Sequence, residues 1–289
     1  MSYLWLNDSL VTADEARIST ADRGFTLGDG IFETMRVTNG TVFRLPDHLH
    51  RLRRSATLIG MQCPELLEHA IAETLSANEL AEGALRLTLT RGESPRGLRI
   101  PASRRPTLVI GVHTHTRDER QGQDGVSALI ATGRLNEHAA STGIKQLGYL
   151  DAVLAQREAS AAGMEEALLL DTAGHLAEAA ASNLFLVRNG ELLTPPLECG
   201  VLPGITRATV LEIASRLGLP IRSEPLLPAD LKQAEEAFLT NSLRGLTPLV
   251  RVDGVEVGTG SRGPITVRLQ DAYQRLVTSE TRRQNPPAA

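Results

Sequence analysis

The sequence has little cysteine, few aromatic residues and no long apolar run. Its two cysteines, Cys63 and Cys199, lie far apart and outside any C-x-x-C pattern, so we predict neither a disulfide framework nor a metal site. Aromatic residues make up only 3% of the chain, which argues against stacking platforms for single-stranded nucleic acid. No run approaches the ~18–20 apolar residues that cross a bilayer, and no secretory signal pattern is present. We therefore expect a soluble, cytoplasmic protein without a membrane partner.

Lysine is also scarce, although basic residues as a class are not. The chain has 30 lysines and arginines against 34 acidic residues, a net charge of −4. A general affinity for nucleic acid requires a basic surplus or a strong basic patch, and the best candidate, RLRR at 51–54, fits a solvated helix face. The only lysines are Lys145 and Lys232. Lysine chemistry, if present, therefore has two candidates.

The length of 289 residues suits two domains of roughly 150 residues. Residues 116–124 are polar and charged without apolar periodicity, which is typical of a boundary. We predict an α/β (α+β) fold with an N-terminal domain over 1–118, a linker over 119–124, a C-terminal domain over 125–279 that carries Lys145, and a disordered tail over 280–289. Asn39-Gly40 and Asn189-Gly190 each separate two strand patterns and predict hairpins.

Two residues are candidates for carbonyl chemistry. Lys145 stands among apolar neighbours ahead of a predicted helix, and a buried lysine that loses its proton forms Schiff bases. Moving its pKa to near 7 takes ~3 units, about 4 kcal/mol. Glu178 is followed by small residues, so its carboxylate has room to lie against a flat ring and keep a pyridine nitrogen protonated. Taken alone, Lys145 is more simply a surface lysine, and Glu178 is more simply a salt-bridged glutamate.

Three features are candidates for phosphate binding. The segment LPGIT at 202–206 opens a predicted helix, where the amides of Ile205 and Thr206 have no internal acceptor and lie at the positive end of the helix dipole. The segment TNS at 240–242 ends a predicted strand with hydroxyls and a turn. Arg51, on a predicted helix, has the geometry to bind a phosphate through two hydrogen bonds. An ordinary helix start is the alternative reading of the first feature.

In order along the chain, these pieces form a pattern that is more specific than any one of them: GDGIFETMR, HxxRL, IKxLxYL, ExxxxNLF, LPGITR and TNS. The sequence resembles the class IV aminotransferase family, the fold-type IV enzymes that use pyridoxal 5'-phosphate (PLP). The resemblance covers roughly residues 3–275. It implies a two-domain α/β fold with PLP at the domain interface, and a homodimer in which the partner subunit contributes to each site.

The resemblance also implies roles for single residues. Lys145 forms the Schiff base with PLP and later moves protons, Glu178 holds the pyridine nitrogen, and Tyr149 lies near the phenolic oxygen. The other implied cofactor residues surround the phosphate and the ring: Arg51, Asn183, Leu202, Ile205, Thr206 and Ser242. The chain departs from the family at Gly148, where many members have an asparagine, and it lacks that side-chain hydrogen bond.

The family includes D-amino-acid and branched-chain aminotransferases, R-selective amine transaminases and aminodeoxychorismate lyases. Phe32, Thr34 and Arg36 alternate and share one strand face, which by resemblance looks into the active site as the substrate-binding face. FETMRV is similar to the lyase pattern, and D-amino-acid aminotransferases usually have tyrosine in place of Phe32. Arg96 is a further candidate for binding a substrate carboxylate, but Leu98 replaces the histidine that D-amino-acid aminotransferases pair with that arginine.

The resemblance therefore predicts first an aminodeoxychorismate lyase of folate synthesis. That enzyme converts 4-amino-4-deoxychorismate to 4-aminobenzoate and pyruvate through an external aldimine, with Lys145 abstracting a proton. The alternative is a transaminase that acts on D-amino or branched-chain amino acids with 2-oxoglutarate. A binding module without activity is disfavoured, because Lys145, Glu178 and the phosphate residues are all present.

Overall fold

The computed structural model describes residues 2–100, 105–114 and 119–282. The chain divides into two compact units, one made of residues 1–116, 144–148 and 277–289 and the other of residues 117–143 and 149–276. None of the helices in the described part of the chain combines the length and the apolar character that a membrane span requires.

The first unit is an antiparallel sheet covered by helices. Its strands are β1 (Tyr3–Leu6), β2 (Ser9–Thr12), β3 (Gly30–Thr38), β4 (Thr41–Val42), β5 (Gly83–Thr90) and β6 (Thr107–His113). Its helices are α1 (Arg23–Leu27), α2 (Leu45–Leu58) and α3 (Leu67–Ala77). The strand order is β2-β1-β6-β5-β3-β4. On β3, Ile31, Met35 and Val37 join the core that α2 and α3 complete, so the intervening residues take the opposite face.

The second unit contains a larger, mixed sheet. Its strands are β7 (Val126–Arg134), β8 (Glu166–Leu170), β9 (Leu176–Ala179), β10 (Ser182–Arg188), β11 (Glu191–Thr194), β12 (Ile221–Ser223), β13 (Glu236–Asn241), β14 (Gly245–Val252) and β15 (Val255–Glu256). Its helices are α4 (Glu119–Asp124), α5 (Leu150–Ala161), α6 (Ile205–Arg216), α7 (Pro228–Leu231) and α8 (Pro264–Glu280), the last of which ends in residues of the first unit.

The strands of the second unit follow the order β12-β11-β10-β13-β14-β7-β8-β9. Because β9 also pairs with β10, six of these strands close into a ring. The core is largely aliphatic, and the rings of Phe185 and Phe238 stack within the second unit with their centroids 5.0 Å apart. The short β9–β10 hairpin brings Glu178 opposite Asn183.

The two predicted hairpins are confirmed. Thr38 pairs with Thr41 and Arg188 pairs with Glu191, so each loop has two residues. Asn39 and Asn189 have φ values of 52° and 51°, and the glycine that follows each is also left-handed, as a type I′ turn requires.

The predicted domain boundaries differ from the observed division in three places. Residues 119–124, predicted as a linker, form α4. Lys145 belongs to the first unit rather than to the C-terminal domain, because the segment 144–148 lies along β3. Helix α8 extends to Glu280, inside the predicted tail, and residues 283–289 of that tail lie outside the described residues.

Candidate functional site

In the first unit, the segment that carries Lys145 docks against β3. The Phe32 amide donates to the Lys145 carbonyl at 2.9 Å, and the Leu147 amide donates to the Gly30 carbonyl at 3.0 Å. A Cβ on Gly30 would lie 2.7 Å from Leu147 Cδ1 and 2.8 Å from the Leu89 carbonyl. A glycine at position 30 therefore permits the close approach that fixes Lys145 beside Phe32.

Two cationic side chains lie against the Phe32 ring. Lys145 Nζ is 4.5 Å from the ring centroid, and Arg86 Cζ is 3.8 Å from it. The electron-rich face of an aromatic ring attracts cations at such distances. Arg86 stands directly opposite Thr34 in the β3–β5 register, so this sheet face brings together Phe32, Thr34, Lys145 and Arg86.

Arg86 is a residue that sequence reasoning missed. Leu85, Leu87 and Leu89 alternate into the core, which places Arg86 on the other face of β5. That alternation is visible in the sequence. The register that sets Arg86 beside Phe32 is a long-range property and is not.

Arg36 adds further positive charge to the same face of β3. Its Nε donates to Thr38 Oγ1 at 3.1 Å. Its Nη1 is buried and finds no hydrogen-bond partner among the described residues. An unpartnered buried donor is costly, and a bound anion would satisfy it.

Arg51 is held by a buried carboxylate that the sequence analysis did not single out. Its Nε and Nη2 donate to the two Glu33 oxygens at 2.8 and 2.6 Å, and His48 Nδ1 lies 2.7 Å from Glu33 Oε2. All three side chains are buried. Glu33 shares the core face of β3 with Met35, so the sequence does contain a signal: an acid on an apolar stripe needs a buried partner.

Burial and hydrogen bonding together set the charge states of Glu33 and His48. Burial alone would raise the pKa of Glu33, but the hydrogen bonds from Arg51 and His48 hold that pKa below its usual range, so the carboxylate is ionised. Burial lowers the pKa of His48, and the charges of Arg51 and Lys145 act in the same direction. At neutral pH the cluster is thus an Arg–Glu ion pair with a neutral imidazole that donates to Glu33.

In the second unit, Glu178 is oriented by two donors. Its Oε2 accepts from Asn183 Nδ2 at 3.0 Å and from the Leu202 amide at 3.0 Å. Asn183 Nδ2 also donates to the Leu202 carbonyl at 2.9 Å. These bonds join β9, β10 and the start of the LPGIT segment. The carboxylate is consequently held in one orientation.

Helix α6 begins immediately beside Asn183. Gly204 is its N-cap residue, and a Cβ on Gly204 would lie 1.9 Å from Asn183 Oδ1. The first-turn amides of Ile205 and Thr206 lack intrahelical acceptors, and Thr206 is buried. Leu202 is half-buried. This helix start can accept an anion through its amides and the helix dipole.

The turn that follows β13 lies near the same elements. Asn241 Oδ1 accepts from the amides of Leu243 and Arg244, and Asn241 Nδ2 donates to Ser182 Oγ at 2.9 Å. Ser242, half-buried, lies inside that fixed turn. Thr240 pairs with Asn183 across the β10–β13 ladder, and its Oγ1 is buried without a partner among the described residues.

The predicted site residues therefore fall into two sets. In the first unit Phe32, Thr34 and Arg36 share a sheet face, Lys145 lies against the Phe32 ring, and Arg51 lies in the Glu33 cluster. In the second unit the structure joins six of them around Glu178 and the start of α6: Glu178, Asn183, Leu202, Ile205, Thr206 and Ser242. Tyr149, half-buried, caps α5. Arg96 and Leu98 are exposed on the loop after β5, so the substrate role of Arg96 stays a prediction.

Residues 30–252 match the family model for amino-transferase class IV. The branched-chain-amino-acid aminotransferase of Escherichia coli (strain K12) is 31% identical over 293 residues, 96% of this chain and 94% of that protein. A solved structure of an E. coli branched-chain amino acid aminotransferase is similar with a TM-score of 0.91 at 30% identity, covering 99% and 97% of the two chains.

Two further proteins are similar at nearly full length. A D-alanine aminotransferase of Bacillus licheniformis is 31% identical over 278 residues, 95% of this chain and 97% of that protein. The structure of a 4-amino-4-deoxychorismate lyase from Pseudomonas aeruginosa is similar with a TM-score of 0.86 at 34% identity, covering 94% and 98% of the two chains.

Proposed function

The chain belongs to the class IV aminotransferase family, and on that premise we propose that it transfers the amino group of a branched-chain amino acid to 2-oxoglutarate. This function is the transaminase that the sequence analysis gave as the alternative, and it replaces the aminodeoxychorismate lyase that the motifs first favoured. Its main support is the contact between the Phe32 ring and Lys145 Nζ. The Phe32 ring has no hydroxyl, so the surface that it presents beside the amine suits a substrate with a hydrocarbon side chain. The near full-length similarity to an aminotransferase points the same way.

PLP is the cofactor of this family, and the residues present fit it. The buried Thr240 hydroxyl without a partner lies next to Asn183, where a polar ligand atom would satisfy it. Gly204 leaves room beside Asn183 that a larger residue would fill. We propose that the amides of Ile205 and Thr206, with Ser242, hold the phosphate. The resemblance alone assigns a phosphate contact to Arg51, whose Nε and Nη2 donate to Glu33.

Bound PLP supplies an electron sink for the charge that develops when the substrate loses its α-proton. Glu178 is the residue that keeps the pyridine nitrogen protonated, and Asn183 and the Leu202 amide keep its carboxylate in position. Lys145 would hold the cofactor covalently, and its Nζ would be the group that takes up the substrate α-proton and gives it back. Phe32 orients that amine and excludes water from one side of it.

The substrate carboxylates need cations, and the face of β3 and β5 has them. We propose that Arg86, 3.8 Å from the Phe32 ring, binds the α-carboxylate of the amino acid. The buried Nη1 of Arg36 is assigned to the second carboxylate of 2-oxoglutarate. Arg86→Gln should then weaken the apparent binding of every substrate, whereas Arg36→Gln should raise KM for the keto acid much more than for the branched-chain amino acid.

The aminodeoxychorismate lyase is the second candidate function. Its support is the 34% identity to a solved lyase over 94% of this chain, together with the lyase-like FETMRV strand. The D-amino-acid reading has weaker support from the residues, because Phe32 replaces the usual tyrosine and Leu98 the usual histidine.

One assay separates these activities. PLP-loaded protein is incubated with 2-oxoglutarate and, in turn, L-valine, L-leucine, L-isoleucine and D-alanine, and glutamate is measured; a parallel reaction with 4-amino-4-deoxychorismate is followed for 4-aminobenzoate and pyruvate. We expect glutamate from the three L-amino acids. Glutamate from D-alanine alone, or equal release of 4-aminobenzoate and pyruvate alone, would overturn the proposal.

The two lysines provide a matched pair of variants for this assay. Lys145→Ala should abolish turnover and prevent borohydride from fixing PLP to the chain. Lys232→Ala, a change at an exposed residue after α7, should leave both unchanged. Borohydride fixation that survives in Lys145→Ala and is lost in Lys232→Ala would reassign the Schiff-base lysine.

We also propose that the active unit is a homodimer. Helix α5 exposes three apolar side chains, Leu150, Val153 and Leu154, at the i, i+3, i+4 spacing of one helix face. An exposed apolar stripe of this kind is typical of a protein–protein contact. A second copy of the chain is the occupant that the family resemblance favours.

A further inference from the structure

Three metal-ligating side chains meet in the second unit. They are Asp171 in the turn after β8, His175 just before β9, and Cys199 at the end of a short 3-10 turn (Leu197–Cys199). One carboxylate oxygen, one ring nitrogen and the Sγ atom lie within 4.8 Å of one another. None of these residues has a part in the proposed reaction. The sequence analysis predicted no metal site, because the two cysteines lie far apart and outside any C-x-x-C pattern. The three residues come from two separate segments.

The backbone holds these donors in place. The Asp171 amide donates to the His175 carbonyl at 2.9 Å, and the His175 amide donates to Asp171 Oδ1 at 2.7 Å, so the turn between β8 and β9 is closed from both sides. The Cys199 amide donates to the Pro196 carbonyl at 3.1 Å, and the 3-10 turn ends at Gly200 in the left-handed region. The three donors are therefore arranged by local structure before any ion binds.

Two of the three donor side chains are already in direct contact. His175 Nδ1 lies 2.9 Å from Asp171 Oδ2. The three donor atoms are thus close enough together for one ion to contact all of them.

We propose that Asp171, His175 and Cys199 form a zinc site. Thiolate, imidazole and carboxylate together are the ligand set of Zn²⁺, whereas Mg²⁺ and Ca²⁺ require several oxygen ligands. On binding, the Cys199 S–H bond breaks, its proton goes to solvent and a Zn–S bond forms. The carboxylate and the thiolate balance the charge of the ion. The His175 side chain is one-third exposed, which leaves a side open to a water as fourth ligand.

The site has a structural consequence for the candidate active site. His175 immediately precedes β9, and Glu178 lies on that strand. A bound ion would join the β8–β9 turn to the 3-10 turn, and so fix the beginning of β9. The zinc is therefore expected to stabilise the second unit rather than to take part in amino transfer.

The test uses full-length, PLP-loaded protein stripped of metal with a chelator. Zinc chloride is titrated in a calorimeter in two buffers of different ionisation enthalpy, and cobalt chloride is titrated in a spectrophotometer. We expect one Zn²⁺ per chain, release of about one proton, a thiolate-to-cobalt absorption band, and a rise in Tm with zinc. Zinc binding without proton release or without the cobalt band would overturn the assignment to Cys199.

Two variants and one control test whether Cys199 and His175 bind the ion. Cys199→Ser should abolish the cobalt band, and His175→Gln, at a partly exposed side chain, should weaken zinc binding by more than roughly 100-fold without unfolding the protein. Cys63→Ser, at the other cysteine of the chain, should change neither. The PLP absorbance of each variant reports that it is folded. Equal zinc binding by wild type and His175→Gln would refute the proposal, whatever the outcome of the transaminase assay.

Discussion

Glu33 illustrates what a single buried charge does in this protein. It is almost fully buried on the core face of β3, where it neutralises Arg51 and accepts from His48. Charges taken out of water are stable only when their partners remain. Glu33 thus positions Arg51, the guanidinium to which the resemblance assigns a phosphate contact.

Glu33→Gln is expected to destabilise the protein strongly. Breaking a buried ion pair from one side leaves an uncompensated charge and typically costs about 3–5 kcal/mol. The matched control is Glu68→Gln, which breaks an exposed pair with Arg53 and should cost less than about 1 kcal/mol. Urea unfolding of the PLP-free protein measures both. Similar costs for the two variants would mean that Arg51 finds another partner.

His48 gives the stability a pH dependence that begins below pH 6.5. Its pKa in the folded protein is lowered by burial from an ordinary value of 6.5, so on acidification the unfolded chain takes up a proton before the folded protein does. Stability is therefore full above pH 6.5 and falls as the pH drops below it, by at most about 1.4 kcal/mol per pH unit for one proton. Unfolding free energies measured at several pH values should show this slope.

The slope should be much smaller in His48→Gln and unchanged in His138→Gln, since His138 is 81% exposed. The ionised Glu33, whose pKa is also lowered, adds its own loss only below its ordinary value of 4.5. The two losses therefore begin at different pH values. An identical slope in wild type and His48→Gln would show that His48 is not the group responsible.

At the scale of elements, the start of α6 depends on a glycine with an ordinary φ. Gly204 has φ −68°, which any residue adopts, but its missing Cβ leaves the space that Asn183 occupies. Asn183 in turn holds the Glu178 carboxylate and the Leu202 carbonyl. The positions of the helix start, Asn183 and Glu178 thus depend on one another.

Gly204→Ala is expected to disrupt the hydrogen bonds of Asn183. A Cβ 1.9 Å from Asn183 Oδ1 displaces the side chain, and each buried hydrogen bond lost costs about 1–3 kcal/mol. PLP affinity, measured by absorbance titration, should fall by roughly 10-fold to 100-fold. Gly133→Ala is the control, because nothing lies within 4 Å of its added Cβ and its φ is ordinary. Unchanged PLP affinity in Gly204→Ala would separate this helix start from cofactor binding.

At the scale of the whole molecule, the exposed stripe on α5 gives the clearest test of assembly. Val153 is 59% exposed at the centre of the stripe, and Val255, on β15, is 52% exposed. Val153→Glu should shift a dimer toward monomer, because burying a charge twice across a two-fold interface costs at least about 3 kcal/mol, roughly 100-fold in Kd. Val255→Glu should leave the mass unchanged. Light scattering after size-exclusion chromatography measures both, and a Val153→Glu variant with the wild-type dimer mass would place the interface elsewhere.

Much of this architecture is readable from local sequence. The two Asn-Gly pairs need left-handed residues and give two-residue turns, and alternation on β3 puts Phe32, Thr34 and Arg36 on one face. Residues 119–124 resemble a linker in sequence because a short polar helix has no apolar stripe to reveal it. The docking of 144–148 on β3 has no local signal, because it depends on hydrogen bonds to a strand more than a hundred residues away.

The sequence by itself determined the family and the cofactor, because motif spacing and side-chain chemistry are local properties of the chain. Only the tertiary structure decided which side chains meet: Arg86 with Phe32, Glu33 with Arg51, and Cys199 with His175. Each of these contacts joins segments distant in sequence. Which segments come together depends on burial of the core as a whole, and a local sequence pattern does not encode it.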